Sequence, residues 1–131
     1  MGRIWFGTDK CIVKFDETDF KSYDQNDGLA SNTVYLMVVD KENNLWVGGN
    51  KGVDKISFDE KGNIGLVKNY SSAEGFKGIE CNAKAVSMDT VGNIFFGTLA
   101  GVIKYSPKEE NQTGDENWTL PRSPILIQSI R

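Results

Sequence analysis

Short apolar runs alternate with polar, turn-forming clusters along the whole chain, and three of the runs are copies of one pattern. The first copy reads Gly2-Arg3-Ile4-Trp5-Phe6-Gly7-Thr8 and then Cys11-Ile12-Val13-Lys14-Phe15. The second reads Asn43-Asn44-Leu45-Trp46-Val47-Gly48-Gly49 and then Gly52-Val53-Asp54-Lys55-Ile56. The third reads Gly92-Asn93-Ile94-Phe95-Phe96-Gly97-Thr98 and then Gly101-Val102-Ile103-Lys104-Tyr105. The aromatic anchors Trp5, Trp46 and Phe95 are 41 and 49 residues apart, while each is followed by a lysine nine positions on. A fixed core with a variable linker, at a period of about 40 to 50 residues built of short strands, predicts an all-β fold of β-propeller blades. No stretch places apolar residues at i, i+3, i+4 and i+7 as a core-facing helix would.

The complete unit divides into strands over Val34–Asp40, Leu45–Gly48, Val53–Phe58 and Ile64–Tyr70. Turn residues separate the first two at Asp40-Lys41-Glu42-Asn43-Asn44, and the equivalent Asp89-Thr90-Val91-Gly92-Asn93 does so one unit later. Gly62-Asn63 marks the outer hairpin. The second strand of each copy is apolar on both alternating faces, as in Ile4-Trp5-Phe6 and Ile94-Phe95-Phe96, so both faces of its sheet require cover. Stacked blades supply that cover, with the Trp or Phe filling the space between sheets and Gly7, Gly48 and Gly97 leaving room for close approach.

The pattern predicts about two and a half four-stranded antiparallel blades: a partial blade over 1–24, a full blade over 28–76 and a partial blade over 77–107. Such a piece exposes faces and edges that neighbours would cover, so the isolated chain is expected to form homo-oligomers through them.

Composition narrows the chemistry. Fifteen basic and eighteen acidic residues, for a net charge of −3, leave no basic stripe for a nucleic acid backbone. No apolar run is long enough to span a bilayer, so no direct membrane contact is expected of this segment. The absence of histidine removes the commonest general base and metal ligand. Cys11 and Cys81 form no CxxC pair and read as small buried residues rather than a zinc site or a disulfide. The acidic clusters Asp16-Glu17-Thr18-Asp19 and Asp24-Gln25-Asn26-Asp27-Gly28 lack the spacing of a calcium loop, and no phosphate-binding GxxxxGK[ST] motif is present. No metal, cofactor or catalytic residue is expected in this segment.

Propeller ligands usually sit over the central channel, against loops that precede the innermost strands or join second to third strands. Here these are Asp24–Thr33, Gly49–Lys51, Ser71–Asn82 and Leu99–Ala100, which supply Asn32, Tyr35, Lys51, Glu80, Asn82 and Lys84 as candidate ligand contacts. Asn32 and Asn82 have a competing reading as turn-ordering residues. The recurrent Lys14, Lys55 and Lys104 read as solvated structural positions rather than an anion site.

The repeat as aligned resembles the regulator-propeller repeats of hybrid two-component sensors, whose blades run turn, Gly-Asn-Leu-Trp-Val-Gly-Thr, Gly-Val. Asp27-Gly28-Leu29-Ala30-Ser31-Asn32-Thr33-Val34-Tyr35 is similar to the opening of such a blade. Glu80-Cys81-Asn82 through Tyr105-Ser106-Pro107 resembles the last blade. Residues 118–131, with Pro121, Pro124 and the apolar run to Ile130, resemble the exit toward an immunoglobulin-like three-tyrosine-motif domain, so 108–131 reads as a linker and the start of that domain, the polar stretch Lys108 to Asn117 lying outside the resemblance. Cys11 in place of glycine and Phe95 in place of tryptophan depart from the pattern.

The resemblance implies a membrane-anchored sensor histidine kinase whose periplasmic or otherwise extracytoplasmic propeller detects a small molecule or oligosaccharide and signals by phosphorelay. The parent's kinase would lie outside this segment. Two other readings stand beside it, a scaffold propeller that binds another protein and part of a propeller lyase or glycosidase. The last needs paired carboxylates, for which only Glu74 and Glu80 are placed.

Overall fold

The computed structural model describes residues 3–71 and 80–107. The loop residues 72–79, with Glu74, and the segment 108–131 expected to lead into an immunoglobulin-like domain lie outside the described residues. The strands, in chain order, are β1 (Ile4–Gly7), β2 (Ile12–Phe15), β3 (Phe20–Tyr23), β4 (Leu36–Val39), β5 (Leu45–Gly49), β6 (Gly52–Phe58), β7 (Ile64–Tyr70), β8 (Cys81–Met88), β9 (Ile94–Thr98) and β10 (Gly101–Tyr105). They form three antiparallel meanders, β1-β2-β3, β4-β5-β6-β7 and β8-β9-β10. A single 3-10 turn, Gln25–Asp27, sits between the first two. Among the described residues the architecture is that of β-propeller blades, one of four strands between two of three, the first showing the equivalents of β5, β6 and β7 and the last those of β4, β5 and β6.

Cross-strand pairing sorts side chains onto the two faces of each sheet. In the complete blade Trp46 lies opposite Lys55, and Lys55 opposite Lys68, while Leu45 lies opposite Ile56 and Ile56 opposite Val67. The Trp46 face packs on the third sheet. The indole sits against Phe96 and Tyr105, with ring centroids 5.8 and 4.7 Å away, and against Tyr70 of its own blade at 5.6 Å. The Leu45 face packs on the first sheet, where Leu45, Val47 and Ile56 join Ile12, Tyr23 and Leu29 with Trp5 against them. Two cores therefore lie between sheets, each organised by the aromatic of the preceding blade.

The same positions are covered or bare according to their neighbours. Trp46, Ile94 and Phe96 are fully buried, whereas Ile4 and Phe6, the first-blade equivalents of Ile94 and Phe96, are 51% and 45% exposed. The glycine two residues after Trp46 is crowded from its own sheet and from the next one. A Cβ on Gly48 would stand 2.6 Å from Leu36 Cδ1 on the neighbouring strand and 2.8 Å from Cys81 Sγ of the third sheet, closer than real atoms approach.

The turns before Trp46 and Phe95 are each built by an aspartate. Asp40 Oδ1 accepts the backbone N–H groups of Glu42 and Asn44, both at 2.9 Å, and Oδ2 accepts Asn44 Nδ2 at 3.1 Å and the indole Nε1 of Trp46 at 2.9 Å. Asp89 repeats the turn with Val91 and Asn93. The polar turn thus fixes the ring that fills the space between blades.

Two expectations are revised. Lys14 is not solvated: it is buried, and its ammonium donates to the Gly62 carbonyl at 3.0 Å on the outer hairpin of the next blade. Lys55 likewise lies over the rings of Trp46 and, across the interface, Tyr105, at 5.5 and 5.8 Å. The recurring lysine is a contact between blades, recruited because its long apolar stem can cross the sheet surface and still deliver a charge to a polar partner. Of the two cysteines Cys81 is buried and Cys11 only half-buried, and both are free thiols. Burial, with the Glu80 carboxylate adding to it, pushes the Cys81 thiol up to about 12, so it packs as an apolar group.

Trp46→Ala is expected to destabilise the chain by about 3–5 kcal/mol, while Leu66→Ala, at a position 65% exposed, costs less than about 0.5 kcal/mol. Urea unfolding followed by circular dichroism measures both.

Candidate functional site

The innermost strands β4 and β8 stand side by side, and their starts meet at the rim of the fold. β8 does not pair evenly with β9: Cys81 lies opposite Thr98 and Val86 opposite Phe96, so a bulge occupies residues 82 to 85. Lys84, at its apex, adopts a left-handed φ of 61° and donates its backbone N–H to the Tyr35 carbonyl at 2.7 Å. Bulges re-aim side chains. This one turns Ala83 and Lys84 toward β4, where with Val34, Tyr35, Met37 and Val86 they line a groove of about 490 Å³.

Two of the six candidate contacts, Tyr35 and Lys84, line this groove, and a third, Glu80, reaches Tyr35 from outside its lining. The Tyr35 hydroxyl lies 3.5 Å from Glu80 Oε2, longer than a full hydrogen bond, so both groups keep hydrogen-bonding capacity for a ligand. Lys84 is exposed. The groove joins an apolar lining of Val34, Met37, Ala83 and Val86 to Tyr35 and Lys84, a combination that suits recognition of a polar small molecule. No group of three or more potential metal ligands occurs among the described residues.

The other three candidates stand apart. Asn32 orders the loop before β4 by accepting the Gln25 N–H at 2.9 Å. Lys51 is exposed at the tip of the β5–β6 hairpin, and its carbonyl accepts Asn69 Nδ2 at 3.3 Å. Asn82 Nδ2 donates to the Thr98 carbonyl at 3.3 Å, within its own blade.

Sequence reasoning passed over Asp54. Buried on β6, it accepts the Ala30 N–H and Asn69 Nδ2, each at 2.9 Å, and so pins the loop that leads to Tyr35. Burial raises its pKa above the ordinary 3.8, and these two hydrogen bonds oppose the rise. The same loop is held from the other side by Ser31 Oγ, which donates to Asn50 Oδ1 at 2.8 Å. An acidic residue in a strand position otherwise filled by Val13 and Ile103 was the available signal.

Residues 28–51, which run from the pinned loop through Trp46 to the hairpin tip, match the family model described as two component regulator propeller. The match covers 24 of the 131 residues. No curated protein matches the chain. Among solved structures it is similar to the extracellular domain of BT3049 from B. thetaiotaomicron, assigned as a hybrid two component system, with a TM-score of 0.73 and 20% identity; the match covers 87% of this chain and 15% of that one. A second match, to the extracellular domain of BT4673 of the same organism, likewise assigned, has a TM-score of 0.41 and 17% identity over 91% of this chain and 24% of that one. The chain thus spans less than a quarter of either structure it matches. The first supports the propeller fold. The groove straddles the matched segment, which contributes Tyr35, and the following sheet, which contributes Lys84.

Because the folded-state pKa of Asp54 is raised, the stability it contributes is greatest below the unfolded value near 3.8 and is lost as pH rises through the folded value. Asp54→Asn removes this loss. Urea titrations between about pH 4 and 7 should show the variant gaining on the wild type as pH rises; a variant that loses ground to the wild type over that range would contradict the burial of an ionising Asp54.

Proposed function

We propose that this chain is part of the ligand-sensing propeller of a membrane-anchored two-component sensor histidine kinase, placed outside the cytoplasm, whose ligand is a small molecule or an oligosaccharide. The observation that carries the reading is the match of residues 28–51 to the regulator propeller model. That segment also holds the loop and strand that present Tyr35 to the groove. The extracellular domains to which the chain is similar support the same placement.

In this reading the segment binds and does no chemistry. Phosphorelay belongs to kinase elements elsewhere in the parent, and occupancy of the rim groove is the input. Tyr35 offers a ring face and a hydroxyl to a sugar-like ligand, Glu80 accepts from ligand hydroxyls, and Lys84 donates to them. A ligand that bridges β4 and β8 binds two blades at once, so it couples to their relative position rather than to one loop.

Isothermal titration calorimetry of the chain against a panel of neutral and acidic oligosaccharides tests this. Saturable binding to at least one member is expected, weakened at least about tenfold by Glu80→Gln or Lys84→Gln. Binding unchanged in both variants would move the ligand away from this groove. The gene sequence after residue 131 tests the parent: a transmembrane helix and a histidine kinase are expected there, and their absence would overturn the sensor reading.

A further inference from the structure

The repeat puts Val13 and Ile103 where the second blade has Asp54. Asp54 pairs with Val47 and shares its face with Ile56, and that face lies against Ile12, Tyr23 and Leu29, so packing gives no reason for a charge there. The carboxyl is buried, and the donors that reach it are uncharged amides, the Ala30 N–H at Oδ2 and Asn69 Nδ2 at Oδ1. Both oxygens accept only while the group is ionised. A proton from solvent turns one of them into a donor that faces an N–H, so one of the two bonds is lost. The bonds are not equally replaceable. Asn69 Nδ2 also lies 3.3 Å from the Lys51 carbonyl and 3.4 Å from the Val53 carbonyl, which keep it satisfied. The Ala30 bond joins a strand to a loop. That loop is bonded to itself, with the Gln25 N–H on Asn32 Oδ1 and Gln25 Nε2 on the Ala30 carbonyl, so it responds as a unit. It leads directly to Val34 and Tyr35 of the groove.

The charged and titratable groups on the surrounding elements are otherwise engaged. Lys55 and Lys68, on β6 and β7, point to the opposite face of the sheet. From the first sheet, Lys14 is drawn away to the Gly62 carbonyl, and Lys21 lies over the ring of Tyr23. Burial raises the Tyr23 phenol above its ordinary 10.0, so it keeps its proton throughout the acid range. On the loop, Asp24 and Asp27 close the capping box of the 3-10 turn. Lys51 is exposed at the hairpin tip.

We propose that Asp54 is a proton-operated latch on this loop: as a carboxylate it fixes Ala30, and on taking a proton it releases Ala30 while the sheets stay paired. The groove wall formed by Val34 and Tyr35 is then firm near neutral pH and loosened in acid. Burial agrees with this. It raises the carboxyl above the ordinary 3.8, so the folded chain takes up the proton at a pH where the unfolded chain is still ionised. The latch is a property of the loop and holds whether or not the groove takes the ligand proposed above.

Nuclear magnetic resonance of the isotopically labelled chain between about pH 3.5 and 7 gives the test. The Asp54 carboxyl carbon is expected to titrate above 3.8, and the Ala30 amide to shift with the same midpoint. Hydrogen-exchange protection of Ala30 should fall about tenfold or more on the acid side of that midpoint, while amides of β5 and β6 stay protected. Asp54→Asn, and Asp54→Val, which restores the side chain of the Val13 position, should each abolish the transition at Ala30. Asp27→Asn should leave it in place. Protection at Ala30 that is unchanged as Asp54 titrates would overturn the latch, as would titration of Asp54 only on global unfolding. A transition that survives both Asp54 variants would also overturn it and assign the response to Asp24 or Asp27.

Discussion

A sheet whose central strand is apolar on both sides has to be covered on both sides, and this constraint organises everything else in the chain. It is visible in one residue type at equivalent places: Phe96 is fully buried against Trp46, while Phe6, which has no sheet across from it among the described residues, is nearly half exposed. Burying aromatic faces between sheets contributes more than any single polar contact, at about 25 cal/mol for each Å² removed from water. The polar features serve the arrangement. The Asp40 turn holds the indole, the glycine after the anchor lets sheets approach, and the lysine opposite the anchor reaches across to the neighbouring blade.

The candidate site depends on that stacking at one remove. Stacking brings β4 and β8 together, and the bulge in β8 then turns Lys84 toward Tyr35. Asp54 fixes the loop before β4 from within the same blade. The core therefore determines where a rim can form and how firmly it is held, while the loops determine what it presents. Residues 28–51 contribute only part of the groove and the next sheet the rest, so its shape depends on how the two sheets sit against each other.

Much of the fold was legible in the sequence because the repeat is strict where packing is strict. Anchor, glycine and lysine recur at constant spacing, and the strand bounds of the complete blade follow from its turn residues. The role of the lysine was not legible. A period-two pattern says which face a residue takes but not whether another sheet covers that face, so Lys14 read as solvated. Tyr35, Glu80 and Lys84 were identifiable as rim residues from their loops, yet their convergence rests on a bulge that has no compositional mark in Asn82-Ala83-Lys84-Ala85. Asn32 and Asn82 make local side-chain hydrogen bonds, and Lys51 stands exposed at the β5–β6 tip apart from the groove, a separation that only coordinates can draw.

The central claim is that the aromatic anchor of one blade lies against the next. The most direct measurement is the nuclear Overhauser effect between assigned ring protons of Trp46 and Tyr105 in the isotopically labelled chain, residues far apart in sequence whose ring centroids stand 4.7 Å apart. Strong cross-peaks between these rings, with further ones from Trp46 to Phe96, are predicted. A folded, β-rich chain in which Trp46 shows cross-peaks only to its own blade would contradict the account.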